Sequence, residues 1–308
     1  MSSPSNAISD FEREPTAPAA VSPRHAFYWC IRRELWEHRS IYVAPSMVAA
    51  VTLIGFLIGA GRLLVKVRTA ESMDPSQLQQ AIERPYGFAA LFLMGIGFLV
   101  SIFYCVEALH GERRDRSILF WKSLPISDMT MVLSKFTIPL LIVPVITIAL
   151  TILTHIVMLS MNVLIFQVNG MSLSLLSTNL PLAKMWEMML YHMLALHGLW
   201  FAPAYAWMLL ASAWARRAAI LWAALPPIAI GVIERIAFNT TYFYQWLKYW
   251  FGGAPGTEAY PGNEHAMHAW TDLNAGEFLF NPGLWMGLLA TGLFLFAAAR
   301  VRRSRGPI

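Results

Sequence analysis

Long apolar stretches without a charged residue alternate with short charged segments along this chain. The six stretches that lack Asp, Glu, Lys and Arg are residues 41–61, 86–106, 136–159, 188–213, 218–233 and 278–299. A helix needs about 20 mostly apolar residues to cross the hydrocarbon core of a bilayer. The fifth stretch contains Pro226 and Pro227, which a spanning helix tolerates where neighbouring helices satisfy the freed carbonyls. The pattern predicts an all-α, polytopic membrane protein with six transmembrane helices.

Composition and charge support the same class. Hydrophobic residues make up 57% of the 308 residues and charged residues only 13%, whereas a soluble domain has roughly 25% charged residues. With the N-terminus inside, 16 of the 23 Lys and Arg residues fall in inside segments and 7 in outside segments. Positive residues stay on the cytoplasmic side, so both termini are expected there. The net charge of +5 then reflects topology, and no nucleic-acid partner is expected.

The N-terminal region divides into two parts. Residues 1–23 are rich in Ser, Pro and Ala and lack an apolar core, which predicts a disordered cytoplasmic tail. In residues 24–39, Phe27, Ile31 and Leu35 recur every four positions, as in an amphipathic helix that lies in the membrane surface. This helix is either a simple anchor or a contact for a specific partner. Residues 40–300 then form the six-helix domain, and residues 301–308 form a basic cytoplasmic tail.

Motifs for catalysis are absent from the sequence. There is no G-x-x-x-x-G-K-[ST], H-E-x-x-H, G-x-S-x-G or C-x-x-C pattern, so any work driven by ATP has to come from another chain. Three histidines, His155, His192 and His197, lie in the predicted spans, where polar residues are costly and often functional. They either hydrogen-bond neighbouring helices or line a substrate path. His192 and His197 lie about 140° apart on an α-helix, which argues against a joint metal site.

The connection between the second and third spans, GERRDRSILFWKSLPISD at residues 111–128, combines five consecutive charged residues with four consecutive large apolar ones. Asp115 is expected to cap a short helix that ends before Pro125. Asp128 is expected to cap the next helix, which leads into the third span. The apolar residues Ile118 to Trp121 cannot all face lipid, so some of them are predicted to be free for a protein partner.

This connection, together with six spans and an N-terminal interfacial helix, resembles the permease subunit of type-2 ATP-binding-cassette (ABC) transporters. The family pattern there is E-R-x-x-x-x-[ILF]-x-x-x-x-S-L-P-[IV]-S. The chain departs from the family at Arg116 and Ser117, where members usually have Gly-Thr. The residues that match are Glu112, Arg113, Ser123, Leu124, Pro125, Ile126 and Ser127, followed by Lys135, and the apolar position of the pattern falls at Ile118, next to Leu119.

The resemblance implies an ABC exporter in the cytoplasmic (inner) membrane of a prokaryote, with residues 40–300 as its permease domain. Family permeases pair as homodimers or heterodimers within the membrane lipid and bind cytosolic ATPase subunits through a coupling helix. ATP and Mg²⁺ are then bound by the partner, and no catalytic, cofactor-binding or metal-binding residue is expected in this chain. The expected ATPase contacts are Glu112, Arg113, Arg114, Arg116, Leu119, Phe120, Trp121, Ser123, Leu124 and Pro125.

Two other functions stay open at this point. An intramembrane enzyme that acts on lipid or peptide would use His155, His192 or Glu187 as an acid or base, and a membrane accessory subunit would transport nothing itself. A stable complex with a P-loop ATPase would support the exporter and neither alternative. The resemblance does not identify the transported substrate.

Overall fold

The structure is a computed structural model and describes residues 22–71, 75–251 and 275–308. Apart from its last two residues, the predicted N-terminal tail lies outside these ranges. Every regular element in the described ranges is helical. The α-helices are α1 (Pro23–Glu37), α2 (Ser40–Glu71), α3 (Pro75–Arg114), α4 (Ser117–Ser123), α5 (Asp128–Thr137), α6 (Val143–Val168), α7 (Ser174–Asn179), α8 (Leu182–His192), α9 (Ala202–Trp214), α10 (Ala219–Phe238), α11 (Tyr242–Phe251), α12 (Ala275–Phe280) and α13 (Pro282–Ser304).

The apolar helices confirm the predicted class of an all-α, multi-pass membrane protein. Among the described residues, five helices are long and apolar enough to cross a membrane, or six if one bent pair counts as a single span. The helices are longer than the uncharged stretches that they contain, since α2 has 32 residues and α3 has 40. The tolerance predicted for Pro226 and Pro227 is confirmed, because α10 continues through both.

The fourth predicted span is broken rather than continuous. A π-helical segment, Met193–Trp200, follows α8, and the chain then bends by 46° before α9. The bend lies at Phe201, just ahead of Pro203 in the first turn of α9. Proline has no N–H for the helical ladder and its ring crowds the preceding turn, so a break is favoured here. A second π-helical segment, Ile138–Ile142, joins α5 to α6 without such a bend.

The main core forms around α9. Trp200, Tyr205 and Leu209 are almost completely buried and pack among side chains of α3, α5 and α13. A second apolar cluster, which includes Tyr86 and Phe166, joins α2, α3 and α6 farther along the bundle. We call the end of the bundle formed by α1, α4, the start of α5 and the end of α13 the charged end, because the buried ion pairs described below lie there.

Helices α3 and α6 approach closely at Gly97. A Cβ atom added at Gly97 would lie 2.6 Å from Oγ1 of Thr147 and 3.6 Å from Cγ1 of Val143. Thr147 is fully buried, so its side chain has little room to move away. Gly95, two residues earlier on the same helix, has no atom within 4 Å of an added Cβ. Gly97 is therefore required by packing and Gly95 is not.

We expect Gly97→Leu to destabilise the folded protein by about 1–3 kcal/mol, because overpacking a tight helix contact forces side chains and backbone apart. The measurement is the melting temperature of the full-length protein in detergent. Gly95→Leu is the matched control, since it makes the same change in an open position of the same helix. Equal melting temperatures for the two variants would show that α3 and α6 are not in close contact at this point.

Candidate functional site

The connection predicted to contact an ATPase forms the short helix α4, and its boundaries differ partly from the prediction. Arg116 precedes α4 in the left-handed conformation, with φ of 59° and no side-chain cap. Asp115 is therefore not the N-cap, and its carboxylate instead accepts from Arg114 at 3.1 Å. The helix ends as predicted: Leu124 is extended, with φ of −85° and ψ of 148°, the conformation preferred before a proline.

The following helix, α5, is capped by Ser127 rather than by Asp128. The Ser127 Oγ accepts from the backbone N–H of Thr130 at 3.0 Å. Asp128 stands in the first turn of α5, and its carboxylate is paired with Arg302 of α13. The prediction of an Asp128 cap was wrong because the Asp128 carboxylate pairs with a cation from a distant part of the chain. Ser127, one position earlier, accepts the hydrogen bond from the backbone N–H of Thr130 instead.

Helix α4 has one buried and one exposed apolar face. Ile118 and Trp121, three positions apart, are 1% and 8% exposed. Leu119 and Phe120 are 56% and 60% exposed. Residues three apart lie on the same side of a helix, so the inward pair fixes α4 on the bundle and leaves the other two side chains outside. The run of four apolar residues thus divides into two that pack within the chain and two that do not.

The buried face of α4 attaches it to the neighbouring helices. The Trp121 ring packs in one cluster with Cys30 of α1 and Met131 of α5. The guanidinium of Arg33 lies 3.8 Å from the centre of the Trp121 ring, a cation–π contact that contributes about 0.5–2 kcal/mol. Trp121 is therefore a contact within the chain, and α4 is joined through it to α1.

The C-terminal segment crosses the same end of the bundle and contacts α4. The Lys122 Nζ donates to the carbonyls of Arg303 and Arg305 at 3.3 and 2.9 Å. The Arg113 Nε donates to the carbonyl of Gly306 at 3.2 Å. The backbone N–H of Ile308 donates in turn to the Arg113 carbonyl at 3.2 Å. Residues 303–308 are thus tied by hydrogen bonds to both α3 and α4.

A buried chain of ion pairs joins four helices at the charged end. The Lys135 Nζ lies 2.7 Å from Oε1 of Glu34 and 3.1 Å from Oε1 of Glu112. Arg302 lies 3.2 Å from Oε2 of the same Glu112 and also contacts Asp128. We call these five residues the ionic network. All except Asp128 have side chains no more than 3% exposed.

The protonation of Glu34 follows from its surroundings. Burial acts to raise the pKa of Glu34, but Lys135 and the hydrogen bond from Tyr104 Oη, at 2.8 Å, outweigh it, so the pKa of this carboxyl is lowered. Burial lowers the pKa of His38, and the nearby Glu34 carboxylate only partly opposes this shift. Glu34 is therefore ionised and His38 neutral at neutral pH. Lys135 is the partner that balances the Glu34 charge.

Several predicted partner-contact residues lie inside the protein. Glu112 and Arg113 are 5% and 4% exposed. The Arg113 guanidinium donates to the carbonyls of Ala213 and Ala215 at 2.8 and 2.9 Å, which secures the end of α9. Arg114 is exposed and pairs with Glu107 at 2.7 Å.

The remaining members of the predicted contact set lie at the surface or partly buried. Arg116, Ser123 and Pro125 are exposed, and Leu124 is partly buried against the Trp121 cluster. The Ser123 Oγ donates to the carbonyl of Phe120 at 2.7 Å. The structure therefore brings the predicted set together at one end of the bundle but distributes its side chains between the interior and the surface.

His155 is held on both ring nitrogens by its own chain. The indole N–H of Trp186 donates to His155 Nδ1 at 3.1 Å, and Nε2 lies 3.0 Å from the carbonyl oxygen of Tyr86. Since Nδ1 accepts, the ring is assigned as the neutral Nε2–H tautomer that donates to this carbonyl. The residue is 1% exposed. These contacts favour the packing role for His155 over the role in a substrate path. Glu187, the other acid–base candidate, is exposed.

His192 and His197 lie together, contrary to the angle expected for an α-helix. Their ring centres are 5.8 Å apart. The cause is the π-helical segment that contains His197, since a π-helix bonds residue i to i+5 and places residues five apart nearly above one another. The expected separation of the two side chains around the helix was therefore wrong. In the part of the chain that the structure describes, no group of three His, Cys, Asp or Glu side chains is placed to hold a metal ion.

The ionic network was not predicted from the sequence, although one signal for it was present. Glu34 falls on the apolar stripe of α1, three residues after Ile31, and a charged residue in such a stripe is buried only when it is paired. Its partner Lys135 follows the family pattern, but no other feature of the sequence marks it as buried. Arg302, counted as part of a basic tail, lies within α13 and is 3% exposed.

No protein-family model, curated protein or solved structure matches this chain. The resemblance to type-2 ABC permeases therefore stays a prediction, which rests on residues 112–127 and on the order of the predicted spans. The described residues themselves establish a multi-pass helical architecture with a short, partly exposed helix at one end.

We expect Lys135→Met to destabilise the protein by roughly 3–5 kcal/mol, because it leaves the buried Glu34 carboxylate without its cation. The measurement is thermal or denaturant unfolding of the full-length protein in detergent. Lys184→Met, at an exposed position, is the control for loss of a lysine. Adding Glu34→Gln to Lys135→Met should recover part of the loss. A Lys135→Met protein as stable as the control would contradict the buried pairing.

Proposed function

We propose that this chain is the membrane-spanning permease subunit of an ABC exporter, which moves a substrate across the cytoplasmic membrane of a prokaryote with ATP hydrolysed by a separate cytosolic subunit. The observation that carries the proposal is the exposed pair Leu119 and Phe120 on α4. Two large apolar side chains on a helix that lies outside the candidate spans are suited to a protein partner. The family resemblance assigns that partner to the class of P-loop ATPases.

The position of α4 suits a helix that transmits movement. It connects the end of α3 to the start of α5, the first helix of the third candidate span. Its inward residues, Ile118 and Trp121, are buried, so a force on α4 acts on the helices beneath it. The ionic network joins α1, α3, α5 and α13 at this end, so the ATPase would act on these four helices together.

The buried contacts narrow the proposed ATPase surface. Leu119 and Phe120 provide its apolar part, and Arg114 and Arg116 are exposed beside them. Glu112, Arg113 and Trp121, which were also expected as ATPase contacts, make their contacts within the chain. They hold the ends of α3, α4 and α9 in place, and truncating them tests the fold rather than the partner contact.

We expect a photo-crosslinking residue at Phe120 to capture, in native membranes, a protein that carries G-x-x-x-x-G-K-[ST]. The double change Leu119→Ala with Phe120→Ala should weaken its recovery roughly 30-fold, as for hot-spot side chains whose truncation costs 2 kcal/mol or more. Mass spectrometry of the adduct and quantitative pull-down are the measurements.

Leu99 and Phe103 of α3 are the matched control pair, because they are similarly exposed, at 48% and 61%, but lie in a candidate span. Replacing both with Ala should leave ATPase recovery unchanged. A Phe120 adduct without a P-loop protein, or equal recovery with both double variants, would remove the support for the exporter and favour an accessory subunit or an intramembrane enzyme.

The proposed orientation has its own test. With both termini cytoplasmic, a cysteine at Ser304 should be shielded from a membrane-impermeant maleimide added outside intact cells, whereas a cysteine at Ser172 should react. Both positions are exposed on the protein and both native cysteines are buried, so accessibility reports the side of the membrane. Permeabilised cells control for reactivity. Outside labelling at Ser304 would invert the topology and place α4 on the wrong side for a cytosolic ATPase.

A further inference from the structure

A large lateral cavity opens between α2 and α3, away from α4 and the ionic network. Its volume is about 1340 Å³, above the roughly 300–1,000 Å³ of pockets that take drug-sized ligands. Both helices are candidate membrane spans, so the cavity faces the region that lipid occupies. We call it the α2–α3 groove. Its size and position favour a long ligand that enters from the bilayer.

The lining of the α2–α3 groove changes from cationic to apolar along its length. Arg62 and Lys66 of α2 and Arg84 of α3 line one end. Val51 and Phe92 are among the apolar side chains that line the other end, and they are 67% and 54% exposed. A ligand that satisfies both ends has an anionic head and a hydrocarbon tail.

The depth of the cationic end matches the headgroup region. Arg62 directly follows the uncharged stretch 41–61, and Arg84 stands two residues before the uncharged stretch 86–106. The two guanidinium groups therefore lie where the hydrocarbon core ends. From Gly59 to Met47 the groove follows about 12 residues of helix, or ~18 Å at 1.5 Å per residue. This is close to one leaflet of the core, about 15 Å.

The cations of the groove are available to a ligand. Arg62 and Lys66 have no acidic partner within ion-pair distance among the described residues. Within the described ranges, the Arg84 side chain donates only to its helix neighbour Gln80, at 2.8 Å. Arg68, also near this end of α2, contacts the Asn169 carbonyl and does not line the groove. These cations also lie at the outer end of the bundle, where the positive-inside rule predicts few Lys and Arg residues.

We propose that the α2–α3 groove is a binding site for an anionic glycerophospholipid, whose phosphate contacts Arg62, Lys66 and Arg84 and whose acyl chain lies along Val51 and Phe92. A second copy of this chain fits less well, because a two-fold interface here would bring the same three cations against each other. The site rests on the membrane-spanning architecture alone and does not depend on the proposed transport function.

The test uses full-length protein in phosphatidylcholine nanodiscs that contain a trace of phosphatidylglycerol with a photoreactive acyl chain. Peptide mapping should place the label on residues lining the groove. Changing Arg62, Lys66 and Arg84 together to Gln should lower the labelling about 10-fold or more, because each cation near the headgroups attracts the anionic lipid. Lys184→Gln, Arg235→Gln and Lys248→Gln together are the matched control for loss of three cations outside the groove lining, and this variant should retain the label.

The apolar half is tested by filling it. Gly55→Leu with Gly59→Leu should abolish labelling without disturbing the fold, since an added Cβ at either glycine meets no atom within 4 Å. Gly292→Leu, at an equally open glycine of α13, should keep the label. Equal labelling by a photoreactive phosphatidylcholine would show that the groove contacts ordinary surrounding lipid without selecting an anionic headgroup, and it would overturn the proposal. If Gly55→Leu with Gly59→Leu left the labelling unchanged but abolished a dimer, the groove would be an interface with a second copy of the chain. That result would also overturn the proposal.

Discussion

The ionic network is the constraint on which the arrangement of the charged end depends. Its charges come from four helices distant in sequence, and a buried charge is tolerated only beside its partner. Lys135 therefore specifies the position of α1 through Glu34 and of α3 through Glu112. Arg302 adds the end of α13 to the same set. Ion pairs of this kind contribute little net stability, but they make any other register of these helix ends costly.

Helix α4 depends on this arrangement because it is too short to be stable alone. Seven residues make fewer than two helical turns, and isolated helices below about 12–15 residues are marginal in water. Its conformation is held by Trp121 against Arg33 and by Lys122 against the C-terminal carbonyls. A displacement of α4 must therefore move α1 and residues 303–308 with it or break these contacts, which makes the charged end a single mechanical unit.

Hydrophobic patterning predicted the long apolar helices, and Pro125 predicted the end of α4, because each depends on local sequence. The caps at Asp115 and Asp128 were mispredicted because Arg114 and Arg302 compete for those carboxylates. Which of four consecutive apolar residues faces inward depends on neighbours distant in sequence, so the burial of Trp121 was not predictable. The same holds for the Trp186 donor to His155, and the proximity of His192 and His197 required a helix type that periodicity did not indicate.

The π-helical segment Ile138–Ile142 lies within a continuous helical run from Asp128 to Val168. A π-helical turn holds one more residue than an α-helical turn, so this segment is equivalent to a single-residue insertion inside an otherwise regular helix. The residues that follow are rotated by about 100° relative to an uninterrupted helix. A chain that lacked this extra residue would present a different face of α6 to its neighbours. Matching the residues of two such chains would require a gap in the middle of a hydrophobic stretch.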